Sequence, residues 1–303
     1  MKTLETNLKQ RKINKVDLLA SFLEECEDQS FADFVSKIKL PQETLAKYTS
    51  LLRNSCDEFE HCLNCKGLHD CQNKVTGFAY LPKINQNNLE FQYKACRYEE
   101  KYLKKTKHLD NVYLFDVPKE IKEASMKNIY MKDKNRFKVI DWLDNFIENY
   151  ENNQHIKGLY LYGSFGCGKT YLIAAMFNEL AKKNVKSAII FWPEYLRDLK
   201  ASFNTDYNSK VNYIKRVPLL LIDDIGAESV TAWGRDEILC PIVQYRMQEK
   251  LPTFFTSNLD IERLEKHLSI SKDEVDILKS RRVIERIKQL TEKEEIISKN
   301  LRE

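Results

Sequence analysis

The sequence predicts a three-layer α/β domain, a parallel sheet covered by helices on both faces, preceded by a small helical module held together by a metal. Three observations carry this. Apolar strand-like runs alternate with amphipathic helical stretches through the second half, a G-S-F-G-C-G-K-T segment at 163–170 follows one such run directly, and cysteines are crowded between 56 and 96. With 303 residues, 43% apolar and 31% charged, the chain is long enough for one full core plus a smaller module.

Charge steers the chain toward no partner as a whole, so any nucleic-acid contact must be local. Forty-nine basic residues against 45 acidic ones give a net charge of only +4, so no global field draws the chain to nucleic acid or membrane. No apolar run approaches the ~20 residues of a membrane span, and M-K-T-L-E-T-N-L-K-Q-R-K is too polar for a signal peptide. A cytoplasmic protein without membrane contact is expected, and its eight cysteines are then read as thiols or metal ligands rather than disulfides.

Residues 1–97 are expected to form the N-terminal module, 98–115 a linker and 116–303 the α/β domain. Leu18, Leu19, Phe22 and Leu23, then Phe31, Phe34, Val35 and Ile38, fall at helical spacings. L-E-F-Q-Y-K at 89–94 alternates as a hairpin strand does. The stretch 98–115 is highly charged and suits a helix or tether. Beyond it, G-L-Y-L-Y (158–162), S-A-I-I-F-W (187–192), L-L-L-I (219–222) and T-F-F-T-S-N (253–258) read as strands, with amphipathic helices from 169, 193 and 235 between them. Continuous apolar strands are those of a parallel sheet buried on both faces.

Gly163, Gly166, Gly168, Lys169 and Thr170 match G-x-x-x-x-G-K-[ST] in the strand–loop–helix setting that the motif needs. The glycines let backbone N–H groups and a helix N-terminus face an anion. The loop Gly163, Ser164, Phe165, Gly166, Cys167, Gly168, Lys169, Thr170, Tyr171 is therefore the expected cradle for ATP, with Lys169 on the β- and γ-phosphates and Thr170 on Mg2+. Asp223 and Asp224 end the L-L-L-I strand; Asp223 suits the Mg2+ shell and Asp224 the base that activates water. A glutamate is commoner at the second place. The shorter aspartate predicts slow hydrolysis. Asn258 ends the next strand, and Arg282 and Arg286 lie one helical turn apart. That arginine pair is either a solvated ion-pair row or a finger that reaches a neighbouring subunit's nucleotide.

Cys62-x2-Cys65 is a metal knuckle, and Cys71 and Cys96 follow in line. Four thiolates would close a tetrahedral, structural Zn2+ site. His69, His61 and Cys56 are alternative fourth ligands to Cys71.

Taken together, these elements resemble an AAA+ ATPase. K-G-L-Y-L-Y-G-S-F-G-C-G-K-T, L-L-I-D-D-I-G-A-E, A-W-G-R-D-E, L-P-T-F-F-T-S-N and R-V-I-E-R-I resemble the bacterial replicative helicase loaders of the DnaI/DnaC group across about residues 115–290, and the cysteine module fits the DnaI type. The resemblance implies an N-terminal zinc domain that grips a hexameric replicative helicase, and an ATPase domain that self-associates on that ring and engages single-stranded DNA. It also implies a catalytic set of Lys169, Asp224, Asn258, Arg282 and Arg286, and a short or absent helical lid. The chain departs from the family's familiar form at G-F-A-Y (77–80), where a histidine ligand is reported. The basic runs Y-L-K-K-T-K-H (102–108) and K-K-N-V-K (182–186) lack interleaved aromatics, so the DNA contact rests on the resemblance alone, and phosphate contacts of that kind are weak and salt-dependent. Two other functions compete: a transposition ATPase of the IstB type, against which the cysteine module argues, and a regulatory switch that binds ATP with little turnover.

Overall fold

Helical and strand periods dictate the architecture in a computed structural model that describes residues 15–151, 156–203, 205–270 and 275–301. The chain divides into the units Met1–Thr106 and Lys107–Glu303.

In the first unit, helices α1 (Lys15–Glu25), α2 (Gln29–Ser36), α3 (Gln42–Leu45) and α4 (Thr49–Asn64) bury one shared set of side chains, among them Phe22, Phe31, Phe34, Leu52 and Cys56. Residues before Lys15 lie outside the described set. Asp28 caps α2 by accepting the Ser30 N–H, and its carboxylate also takes the Arg53 guanidinium at 2.6 Å, tying α2 to α4. That pairing holds the Asp28 carboxyl down at about 2. Strands β1 (Phe78–Asn85) and β2 (Asn88–Ala95) form the antiparallel hairpin, and α5 (Arg97–Thr106) follows.

The second unit is built on a six-stranded, all-parallel sheet. Its strands are β3 (Val112–Phe115), β4 (Gly158–Gly163), β5 (Ser187–Phe191), β6 (Leu219–Asp223), β7 (Thr253–Ser257) and β8 (Thr291–Ile296), in the spatial order β3-β5-β6-β7-β4-β8. The helices are α6 (Lys119–Lys122), α7 (Phe137–Asn149), α8 (Lys169–Ala181), α9 (Trp192–Ala201), α10 (Tyr207–Arg216), α11 (Cys240–Gln248), α12 (Ile261–Ser269) and α13 (Ile277–Leu290). Alternation along each strand divides the core in two. Leu159, Leu161, Leu221 and Phe254 bury one face with α7 and α8, while Tyr160, Leu220, Ile222 and Phe255 bury the other with α9 to α13.

The four expected strands form. Two more do not announce themselves in the sequence: Val112–Phe115, at the end of the stretch 98–115, is the edge strand β3, and the charged T-E-K-E-E-I is the opposite edge strand β8. The helix from 235 opens as a π-helical stretch, Trp233–Leu239, and continues as α11. Among the described residues no helix follows α13 and none is long and apolar enough to cross a membrane.

Arg246 is the buried clip of this unit. It is fully buried on α11, and its guanidinium donates to the carbonyls of Ile214, Val217 and Pro252 and to the Thr253 hydroxyl. Those acceptors belong to the segments that lead into β6 and β7, so one side chain sets where both strands start. Burial pushes its pKa down to about 9, which leaves it protonated at neutral pH. Arg246→Met strands several buried carbonyls at about 1–3 kcal/mol each. A urea melt of that variant is expected to show a loss of at least about 3 kcal/mol.

Candidate functional site

The cradle begins where β4 ends. Gly163, Gly166 and Gly168 adopt φ of +136°, +67° and +85°, the left-handed region that side chains disfavour. At Gly163 a Cβ would also meet the Ile296 carbonyl oxygen at 2.0 Å. Gly168 ends the loop in the left-handed conformation, so α8 starts at Lys169 with its first N–H groups turned to the loop. Lys169 is 9% exposed. Its ammonium donates to the carbonyls of Gly163 (3.0 Å) and Ser164 (2.8 Å) and to Asn258 Oδ1 (2.8 Å).

The sheet order places β7 between β4 and β6, so side chains at the ends of all three strands converge. Thr170 Oγ1 donates to Asp223 Oδ1 at 2.6 Å, and Thr256 Oγ1 donates to the same oxygen at 2.6 Å. Burial raises the Asp223 pKa, against the two hydroxyl hydrogen bonds, which lower it. Asp224 sits at φ +55° just past β6, and its backbone N–H donates to Thr256 Oγ1 at 2.9 Å. Asn258 Nδ2 donates to Asp224 Oδ1 at 3.1 Å. One amide thus joins the loop lysine to the second carboxylate.

These groups suit magnesium triphosphate. A glycine loop, a helix N-terminus and a buried ammonium favour polyphosphate, and the Thr170 hydroxyl beside the Asp223 carboxylate is a pair of hard oxygen donors such as Mg2+ takes. Lys169, Thr170, Asp223, Asp224 and Asn258 are therefore gathered at one place. Phe165 projects from the loop tip, 76% exposed. Tyr171 turns into the α7–α8 face, where its hydroxyl accepts the Ser125 N–H. Arg282 and Arg286 stand apart on α13. Arg286 donates to Gln244 and to the Arg282 carbonyl, Arg282 is exposed, and among the described residues no hydrogen bond joins either to the cradle.

Sequence reasoning missed three contributors. Thr256, inside an apolar strand, orders both aspartates. Arg136, only 1% exposed, donates to the Cys167 carbonyl in the loop; nothing in the polar stretch around it signals this. Phe203, Tyr207 and Trp233 form an aromatic platform, with ring centroids 5.1 Å (Phe203–Tyr207) and 5.4 Å (Phe203–Trp233) apart and Lys200 Nζ 5.3 Å from the Trp233 ring. Those residues are too scattered in sequence to be read as a group.

In the first unit, Cys62, Cys65, Cys71 and Cys96 all line one cavity of about 390 Å³ together with His61. Their sulfurs accept hydrogen bonds from Asn73 Nδ2 (to Cys62, 3.3 Å), Gly77 N (to Cys71, 3.4 Å) and Glu99 N (to Cys96, 3.5 Å). Burial raises the Cys62 thiol pKa. Cys56 is buried in the helical core instead. The thiols share the cavity without closing: among the described residues no three His, Cys, Asp or Glu side chains form a group that could hold a metal ion.

Fold and cradle define a P-loop ATPase of the AAA+ class, and residues 133–269 match the family model described as the bacterial DnaA ATPase domain. More of the chain matches a curated relative: it is 32% identical over 250 residues to the replicative helicase loader DnaI of Bacillus subtilis (strain 168), covering 82% of this chain and 80% of that one. The chain belongs to the family of the replicative helicase loader DnaI. Two solved structures agree. A crystal structure of DnaI, 46% identical, superposes with a TM-score of 0.57 over 64% of this chain and 98% of its own; a putative primosome component from Streptococcus pyogenes serotype M3, 33% identical, gives 0.55 over 64% and 97%.

Removing the charge of Asp224 while keeping its shape tests the geometry. In Asp224→Asn, ATP turnover is expected to fall by about 100-fold or more, the scale of a lost general base, while ATP affinity measured by fluorescence titration stays within a few-fold.

Proposed function

We propose that this protein loads a replicative DNA helicase onto single-stranded DNA at the start of replication, using ATP to control its grip. The observation that carries the reading is the Lys169–Asn258–Asp224 bridge in a chain of the DnaI family. A γ-phosphate entering between Lys169 and Asn258 would disturb the hold on Asp224, so the carboxylate that activates water would answer to nucleotide. Catalytic roles go to Lys169, Asp224 and Asn258, nucleotide contact to the Gly163–Tyr171 loop, and Mg2+ binding to Thr170 and Asp223.

Arg282 is the better of the two arginine-finger candidates, because Arg286 is already engaged by Gln244 and the Arg282 carbonyl while the Arg282 side chain is exposed. A finger of this kind serves a neighbouring subunit, which makes the active unit a self-assembly on the helicase ring. Single-stranded DNA is supported by the Phe203–Tyr207–Trp233 platform with Lys200 beside it, since stacking of bases on aromatics is sequence-tolerant. Helicase binding is assigned to the N-terminal unit, with Zn2+ on Cys62, Cys65, Cys71 and Cys96. Its support is that all four cysteines line one cavity and that the sulfurs of Cys62, Cys71 and Cys96 accept N–H hydrogen bonds. Zinc there would be structural, replacing core that a small module lacks.

Co-purification with the replicative helicase of the same cell tests the function. The full chain is expected to retain the helicase, and a chain starting at Lys107 to lose it; retention by the shorter chain would move the grip to the ATPase unit. Elemental analysis is expected to find one zinc per chain, released in Cys62→Ser with loss of a cooperative N-terminal melt. A metal-free chain that melts normally would remove zinc from the reading.

A further inference from the structure

The cradle's backbone is held from behind by groups outside the loop. The Gly166 carbonyl accepts the Leu301 N–H at 3.0 Å, and the Cys167 carbonyl accepts Arg136 Nη1. Among the described residues there is no cis peptide, and in a planar trans peptide the C=O of one residue and the N–H of the next point in opposite directions. With the carbonyls of Gly166 and Cys167 drawn outward, the N–H groups of Cys167 and Gly168 face the other way. Among the described residues no acceptor meets either N–H.

Arg136 is an unusual residue to find there. It ends a short 3-10 turn at the start of α7 and is 1% exposed. Its Nε is buried without a hydrogen-bond partner, and the carboxylate that acts on it, Asp133, does so through space without an ion-pair contact. Its Nη2 lies 3.5 Å from where a Gly168 Cβ would sit. Burying a cation without a directly paired counter-charge is costly. Burial accordingly lowers its pKa. The cost is offset where an anion arrives on the other side of the loop, and two unpaired N–H groups point to the same anion.

The Leu301 contact belongs to a strap. The last residue of β8 and those after it run along the loop: Ser164 N–H donates to the Ile296 carbonyl at 3.2 Å, and the Ser298 hydroxyl and Ile297 carbonyl engage Asp133 (2.6 Å) and Asn135 (3.0 Å), close in sequence to Arg136.

We propose that Arg136 is a positioning residue for the phosphate cradle: together with the Leu301 amide it pins the Gly166–Cys167 and Cys167–Gly168 peptide planes, so that the Cys167 and Gly168 N–H groups stay turned to the phosphates of a nucleoside di- or triphosphate. This rests on the reading of the loop as an ATP site. The cradle binds those phosphates alike before and during hydrolysis, so the loss should fall on affinity and not on the chemical step.

The full chain is titrated with a fluorescent ATP analogue and with its ADP counterpart in the presence of Mg2+, and steady-state turnover is measured alongside. Arg136→Met is expected to weaken both nucleotides about tenfold, the scale of one hydrogen bond from a charged donor, raising KM with kcat unchanged. Arg136→Lys, which keeps a cationic donor, should recover affinity to within about threefold, and Leu301→Pro, which removes the amide N–H together with the leucine side chain at an exposed edge, should weaken it about threefold. Near-native binding by Arg136→Met while Lys169→Ala loses nucleotide sinks the proposal and leaves the ATP reading standing. No binding by the unaltered protein sinks both. A fall in kcat at constant KM assigns Arg136 a merely structural part and also overturns the proposal. If circular dichroism shows Arg136→Met unfolded, Leu301→Pro and Arg136→Lys decide, and wild-type affinity in Leu301→Pro is then the overturning result.

Discussion

Lys169 carries a full charge in a place that water scarcely reaches, and the rest of the ATPase unit is arranged around keeping it satisfied. A buried ammonium needs acceptors on every side. Here two come from its own loop, the carbonyls of Gly163 and Ser164, and another from Asn258, 89 residues away in sequence but at the end of the strand next to β4 in the sheet. A triphosphate entering the loop must take over this role, so binding exchanges one set of hydrogen bonds for a stronger, charge-assisted set. The lysine is held before the ligand arrives. That preorganisation is what the sheet order supplies, because only a strand inserted between β4 and β6 can bring Asn258 to both Lys169 and Asp224.

The two aspartates are treated differently by the same strand ends. Asp223 is buried and takes two hydroxyls on one oxygen, a geometry that leaves its other oxygen to a metal. Asp224 lies in the left-handed region at φ +55°, which an aspartate tolerates better than a longer residue would. The aspartate also reaches Asn258 from there. A short acid at this position therefore has a local reason: the backbone turn that begins with it brings the carboxylate toward the cradle, offsetting part of the methylene it lacks relative to glutamate.

What was legible in the sequence was whatever chemistry writes locally. The G-S-F-G-C-G-K-T loop, the D-D pair, the strand-terminal asparagine and the C-x2-C pair each sit within a few residues; the structure gathers the first three at one point, while the cysteines share a cavity without forming a metal-holding group among the described residues. The illegible parts depend on contacts far apart in the chain. T-E-K-E-E-I forms β8 because its alternate side chains lie at an edge, where Glu292 meets Trp142 and Glu294 meets Lys138, so charge hides the strand pattern. Thr256 and Arg136 look like an ordinary strand threonine and an ordinary surface arginine until the fold places them beneath the cradle. The aromatic platform is assembled from α9, α10 and the π-helical stretch, which no sequence window spans.

The end of the described chain would connect an assembly contact on α13 to the nucleotide loop. Helix α13 carries Arg282 and Arg286, β8 follows it directly, with Thr291 Oγ1 bonded back to the Ile287 carbonyl, and the strap from Ile296 to Leu301 lies on the loop. A neighbouring subunit, were it to engage the arginines, would pull on a helix separated from the cradle by a single six-residue strand, itself paired along its full length with β4, whose last residue opens the loop. Packed elements of this kind shift as units, since close-packed cores resist continuous deformation. The same strap that orients the cradle's N–H groups is thus the segment through which a partner's contact on α13 would be felt by the bound phosphates.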